Sequence, residues 1–166
     1  MIQPAWYRWA QARQGVVEVV GPVHNQDVVN FWKLGKVALN VTDDETPWCA
    51  AFANAALEQT GYAGTKSGRA RSFAPDAHFV QCDTRLGAVV VLSSPGRGAE
   101  SGHVGFLHGV SATQFHILGG NQGNRVCIAA FPKSRLLYLL WPSSAQEYKL
   151  FPEAFKSSTG NETTDR

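Results

Sequence analysis

The chain has 166 residues, of which 44% are hydrophobic, 11% aromatic and 17% charged. That is the length of one domain, with enough apolar side chains to build a core without disulfide staples. A net charge of +2 and no block of Lys or Arg exclude a nucleic-acid binder, and no apolar run is long enough to cross a membrane. The three cysteines, at 49, 82 and 127, are too few and too dispersed for a disulfide framework or a zinc knuckle.

The first third predicts helices. Pro4 suits a first helical turn, Trp6, Trp9, Ala10 and Arg13 share a face, and Gly15 is placed to stop the helix. Asn25 is a candidate N-cap for a second helix running to about Gly35, with Val28, Phe31 and Trp32 on one side. Asp43, Asp44 and Glu45 precede a third start, in which Thr46 is the expected cap, Pro47 opens the first turn and Gly61 ends the helix. Residues 64–86 predict loop, with a short helix near Arg69–Phe73. The second half predicts strands at 87–93, 103–110, 114–119, 125–131 and 135–141, bounded by Gly, Ser, Asn and Pro. Helices followed by strands on short loops imply an α+β domain with an antiparallel sheet of five strands or so, because parallel crossovers need longer connections. The expected boundaries are a single domain over 1–142 and a polar extension over 143–166, with a disordered tail from Ser157 to Arg166.

Cys49 is expected as the third residue of the third helix. There, unpaired backbone amides and the helix dipole favour a thiolate and could receive an oxyanion. It heads the stripe Cys49, Phe52, Ala53, Ala56 and Leu57, so the sulfur should face the sheet; a plain buried cysteine is the competing account. His103 opens a strand after the flexible stretch 95–101. If a three-residue loop pairs 110 with 114, His103 lies opposite Asn121, Leu107 meets Ile117, and Gly105 faces Gly119. A two-residue loop would put Gly120 there instead. In the first register Asn121 can accept from one imidazole nitrogen and leave the other for the thiol, and the paired glycines leave room for a helix end.

Other side chains point to chemistry less well. His108 and His116 would be cross-strand neighbours on the opposite face, without a third metal ligand. Cys82 lacks a helix start, and Asp83 opposes its thiolate; Cys127 lies mid-strand and is expected to pack. The acidic trio 43–45 is read as favourable charge at a helix N-terminus, not as a calcium loop. Trp6, Trp9, Trp32 and Trp141 are expected in the core, whereas Trp48, beside the thiol, is expected to wall the cleft.

Taken together, Asp44-Glu45-Thr46-Pro47-Trp48-Cys49-Ala50-Ala51-Phe52, Gly102-His103-Val104-Gly105-Phe106 and Leu118-Gly119-Gly120-Asn121-Gln122-Gly123-Asn124 resemble the NlpC-type and CHAP-type cell-wall peptidases, above all a subgroup of small single-domain proteins of bacteria and their phages. The stretch from Gly15 to Asn25 is similar to that subgroup's opening. The resemblance implies a papain-like fold and a metal-independent, cofactor-free hydrolysis of amide bonds in the peptide part of peptidoglycan. Cys49 would be the nucleophile, His103 the base and Asn121 the orienting residue, with Trp48, Gly102 and Gln122 at the substrate. Many CHAP members carry a glutamate two places before the Asn; here that position is Gly119.

The expected partner is therefore bacterial peptidoglycan, met by a monomer that inserts in no membrane. Met1 to Arg8 lacks the apolar stretch of a signal peptide. Delivery to the periplasm or wall is thus expected through phage lysis, a phage tail or a secretion system, the last with an immunity protein. Two alternatives stand beside the hydrolase: a non-catalytic wall-binding or phage structural component, and a papain-like toxin acting on a protein.

Overall fold

The computed structural model describes residues 3–19, 23–38, 47–145 and a short strand at 155–156. The acidic trio, the Thr46 cap and the tail from Ser157 lie outside the described residues. Three α-helices come first: α1 (Ala5–Gln11), α2 (Gln26–Leu34) and α3 (Cys49–Glu58). The strands follow as β1 (Phe79–Gln81), β2 (Val89–Ser93), β3 (Gly102–Val110), β4 (Gln114–Gln122), β5 (Arg125–Pro132), β6 (Leu136–Pro142) and β7 (Phe155–Lys156). The chain is an α+β protein, as its pattern of helices and then strands implies.

Asn25 caps α2 as expected, its side chain accepting from the Asp27 amide at 2.9 Å. The third helix starts later than the sequence suggests. Trp48, at φ −123° and ψ 15°, is its N-cap residue, and the first helical bond runs from the Phe52 amide to the Trp48 carbonyl at 3.0 Å. Cys49 is therefore the first helical residue and not the third. The cause is tertiary: the Trp48 indole is fully buried and donates to Glu18 Oε1 at 2.7 Å, which holds the backbone at 48 out of helical conformation.

All residues of α3 from Cys49 to Leu57 are buried, because the helix lies between α1 and α2 on one side and β3 and β4 on the other. Its alanines permit approach from every direction. Phe31 of α2 meets Phe52 edge-on at 5.0 Å between ring centres, and a Cβ on Gly35 would lie 2.8 Å from that of Asn54. Trp6, Trp32 and Trp141 are core residues, and Trp9 is partly buried against Phe31 and Phe52.

The sheet order is β1-β6-β2-β3-β4-β5, with every pair along it antiparallel. Two strands were not foreseen. β1 is only three residues long and sits in a stretch whose composition suggests loop. β7 joins β3 in parallel, pairing Gly109 with Phe155 and Val110 with Lys156. It can do so because the long return from β6 supplies the reach that a tight loop lacks.

One buried polar residue pins the loop after α3. Asn54 Oδ1 accepts from the amides of Thr65 (2.7 Å) and Lys66 (3.1 Å), and its Nδ2 donates to the carbonyls of Ala50 (3.0 Å) and Ser67 (2.9 Å). Lys66 is held there at φ +57°, a conformation side-chain-bearing residues avoid. Asn54→Ala leaves these groups without partners and is expected to lower the unfolding free energy by about 2–4 kcal/mol in a urea titration. A loss below about 0.5 kcal/mol would contradict this role.

Candidate active site

The hairpin joining β3 to β4 is where the register expected from sequence holds in part. Leu107 pairs with Ile117 and Phe106 with Leu118, as predicted for a three-residue loop. The turn itself is wider: Val110 pairs with Phe115, and Ser111 accepts from Gln114 through its side chain at 3.1 Å. An irregularity at His108 absorbs the difference.

A second irregularity, in β4, decides the environment of His103. Between the pairs Gly119–Cys127 and Gln122–Arg125 the ladder slips by one residue, and Asn121 takes φ +57°. The slip advances the side-chain alternation by one position. Gln122 thus arrives where an unbroken strand would bring Asn121, and its Oε1 lies 2.9 Å from His103 Nε2. The sequence reading gave the ring contact to Asn121 and put Gln122 at the substrate; the structure buries both and gives Nε2 to Gln122. The signal was present in Gly119-Gly120-Asn121, a run typical of bulges, since Asn enters left-handed backbone more readily than most residues. Gly123 (φ 59°) and Asn124 (φ 63°) then form the tight turn into β5.

The amide of Gln122 has only one workable orientation. Its Nε2 donates to the carbonyls of Ile117 (3.0 Å) and Cys127 (2.8 Å), which cannot themselves donate. Oε1 must then face His103, and an acceptor there requires a proton on imidazole Nε2. The neutral ring accordingly has its lone pair on Nδ1. The imidazole is fully buried and stacked on Phe131 at 5.1 Å between ring centres. Gly119 makes room for this network, because a Cβ on it would sit 2.5 Å from Gln122 Oε1.

Cys49 is 6% exposed at the first turn of α3, where its amide and those of Ala50 and Ala51 have no intrahelical acceptor. The helix start approaches the sheet at Gly120: a Cβ there would lie 2.7 Å from both Phe52 Cβ and Trp48 Cζ3. The close approach that the sequence assigns to Gly105 and Gly119 thus belongs to Gly120. Trp48, expected to wall a cleft, is wholly inside, because its ring fills the space between Phe31 and this glycine.

Cys49 and Gly102 line one open cavity of about 310 Å³, with Pro47, Arg69, Arg97 and Ser101 around them. His103 follows Gly102 directly on β3. An adjoining hollow of about 500 Å³ shares Pro47, Gly68 and Arg69 with the first and continues over Trp32, Val37 and Lys66. The groove between α1 and α2, about 490 Å³, holds none of the candidate residues, and its Arg13 lies 3.5 Å above the Trp9 ring.

Cys82, Cys127 and His108 do not line this cavity. Burial pushes the Cys82 thiol up to about 11, against the pull of Arg85 and with a further push from Asp83. It therefore stays protonated through the neutral range. Cys127 donates to the Gln122 carbonyl at 3.3 Å. His108 Nδ1 lies 2.5 Å from the Tyr7 hydroxyl, and its basicity is lowered by burial and then by His116. Among the described residues, no three His, Cys, Asp or Glu side chains are grouped to hold a metal, and no helix is long and apolar enough to span a membrane.

Neither the curated proteins nor the solved structures compared with this chain give a match. The comparison with protein families does: residues 41–121 match the model of the CHAP domain, a stretch that contains Cys49, His103 and the β4 bulge. Over these residues the chain is similar to CHAP domains, which are generally cysteine- and histidine-dependent amidohydrolases or peptidases.

Proposed function

We propose that the protein hydrolyses amide bonds in the peptide part of bacterial peptidoglycan, with Cys49 as nucleophile and His103 as base. The observation that carries the reading is the Gln122 amide, which fixes a proton on His103 Nε2 and so directs the basic nitrogen, Nδ1, away from the network that holds the ring. A helix start bearing a thiol, and the glycine before His103, border the same cavity. Gln122, and not Asn121, is the orienting residue in this proposal.

His103 Nδ1 takes the thiol proton, and the thiolate adds to the substrate carbonyl. The oxyanion is received by first-turn amides of α3, which have no other backbone acceptor within the helix. His103 then gives its proton to the departing amine as the C–N bond breaks. Water, deprotonated by the same nitrogen, attacks the thioester, and the acid product leaves with the thiol restored. Nothing in this sequence requires a metal or cofactor. The two hollows on either side of Pro47 and Gly68 form a path for an extended peptide, and Lys66, Arg69 and Arg97 give it a mainly cationic lip suited to the carboxylates of wall peptides. The single-domain boundary at 142 and delivery by phage or secretion machinery belong to the same proposal.

The test is digestion of purified peptidoglycan by the wild-type protein and by Cys49→Ala, with products read by mass spectrometry. Fragments gaining one water and a new amino group, from the wild type alone, are expected; their masses identify the bond. Unchanged wall, or the same fragments from both proteins, would reject the hydrolase.

A further inference from the structure

We propose that Glu18 is a positioning residue that holds the thiol-bearing helix start in register with the hairpin carrying Gln122. The inference rests on the hydrolase reading, but on different side chains. Glu18 lies before α2, far in sequence from both elements that it joins. It is 8% exposed, a deep placement for a carboxylate, and Oε1 accepts from Trp48 Nε1 at 2.7 Å. An indole donating to a carboxylate is a charge-assisted bond, stronger than one between neutral groups.

The Glu18 backbone is fixed on the other side of the site. Its amide donates to the Asn124 carbonyl at 2.9 Å, in the turn two residues past Gln122. The neighbouring chain is stitched to the same strand: Gly15 donates to the Val126 carbonyl at 2.9 Å, Val126 donates to Val16 at 2.8 Å, and Val17 pairs with Arg125. Asn25, the α2 cap, also donates through its side chain to the Val17 carbonyl at 2.9 Å. This segment is thus an extra edge on β5, and Glu18 reaches from that edge to Trp48.

Trp48 passes the constraint on in two directions. It is the N-cap residue of α3, so its position sets that of Cys49, the next residue. Its ring presses on Gly120, where a Cβ would be 2.7 Å away, two residues before Gln122. One carboxylate thereby ties the element that carries the thiol to the one that orients the imidazole. A displacement of about 1 Å between reacting groups can cost about 10²-fold in rate, so such a tie has a measurable consequence.

The test compares Glu18→Ala, Glu18→Gln, Trp48→Phe and the Glu18→Ala/Trp48→Phe double variant, each first shown by circular dichroism to be folded at the assay temperature. Two quantities are measured: hydrolysis of a soluble wall peptide, and the rate of Cys49 alkylation by iodoacetamide. Glu18→Ala is expected to lower kcat roughly 10- to 100-fold with KM within about twofold. Glu18→Gln, which keeps an acceptor oxygen, should stay within about threefold of wild type, and the double variant should fall no further than Glu18→Ala. An unchanged kcat in Glu18→Ala, a loss confined to KM, or multiplying losses in the double variant would each overturn the proposal. If the wild type cleaves no wall peptide, the hydrolase reading fails separately, and alkylation decides the tie. Slower labelling in Glu18→Ala with wild-type labelling in Glu18→Gln supports it; equal labelling in all variants overturns it.

Discussion

Replacing Cys49 with alanine is expected to reduce peptidoglycan hydrolysis by about 10⁴- to 10⁶-fold, the range found when a covalent nucleophile is removed. The loss should be chemical and not structural. Cys49 sits at the first turn of α3, beside five alanines within the next seven residues, and its side chain borders an open cavity. Truncation there leaves no sealed void, so stability should change by no more than about 1 kcal/mol. His103→Ala should reduce the rate by a similar factor, and the double variant should be no worse than either single one, because the two groups act as a unit. Independent, multiplying losses would mean that the thiol and the imidazole serve different steps.

The second large effect is expected at Gln122. Gln122→Ala removes the acceptor from His103 Nε2 and the donors from the Ile117 and Cys127 carbonyls. The imidazole would lose what fixes its tautomer, a defect expected to cost about 10²-fold or more in kcat. The stranded carbonyls add a stability loss of about 1–3 kcal/mol, read by thermal melting. Gln122→Glu should be little better, since a carboxylate oxygen would then face two carbonyl oxygens. Asn121→Gly is the informative control: it keeps the left-handed backbone at 121, and so the bulge, while deleting the side chain. It should lose less than about a tenth of the factor lost by Gln122→Ala. The reverse ranking would return the orienting role to Asn121.

The sequence made the general architecture legible because hydrophobic period and turn residues are local signals. Asn25 announced α2, and the apolar runs after Gly87 announced five strands at nearly their observed places. What it hid depends on long-range contacts. The helix start at Cys49 moved by two residues because Glu18, thirty positions earlier, draws Trp48 inward. The same burial removed Trp48 from the cleft. β1 is too short for a periodic signal, and β7 forms through a parallel pairing that no hairpin rule anticipates.

The residues that the proposal uses differ from the sequence reading at one position. Cys49 stood out by its place in the first turn of an alanine-rich helix, and His103 by opening a strand after a flexible loop. Gln122 displaced Asn121 because a pairing register propagates only until a bulge, and one left-handed residue exchanges the two faces of everything beyond it. Glu18 entered the sequence reading only within the stretch Gly15–Asn25, because its partner Trp48 lies thirty positions further on.

The dependence of Cys49 on His103 is tested most directly by the rate of iodoacetamide alkylation at pH 6 to 7, with the modified cysteine identified by peptide mapping. Cys49 should react first in the wild-type protein, while Cys82, its thiol pushed up to about 11, stays unmodified. His103→Ala should slow Cys49 labelling at least about tenfold, because only the thiolate reacts and its proton would have lost its acceptor. Labelling of Cys49 at the same rate with and without His103 would contradict a shared proton, and with it the hydrolytic mechanism.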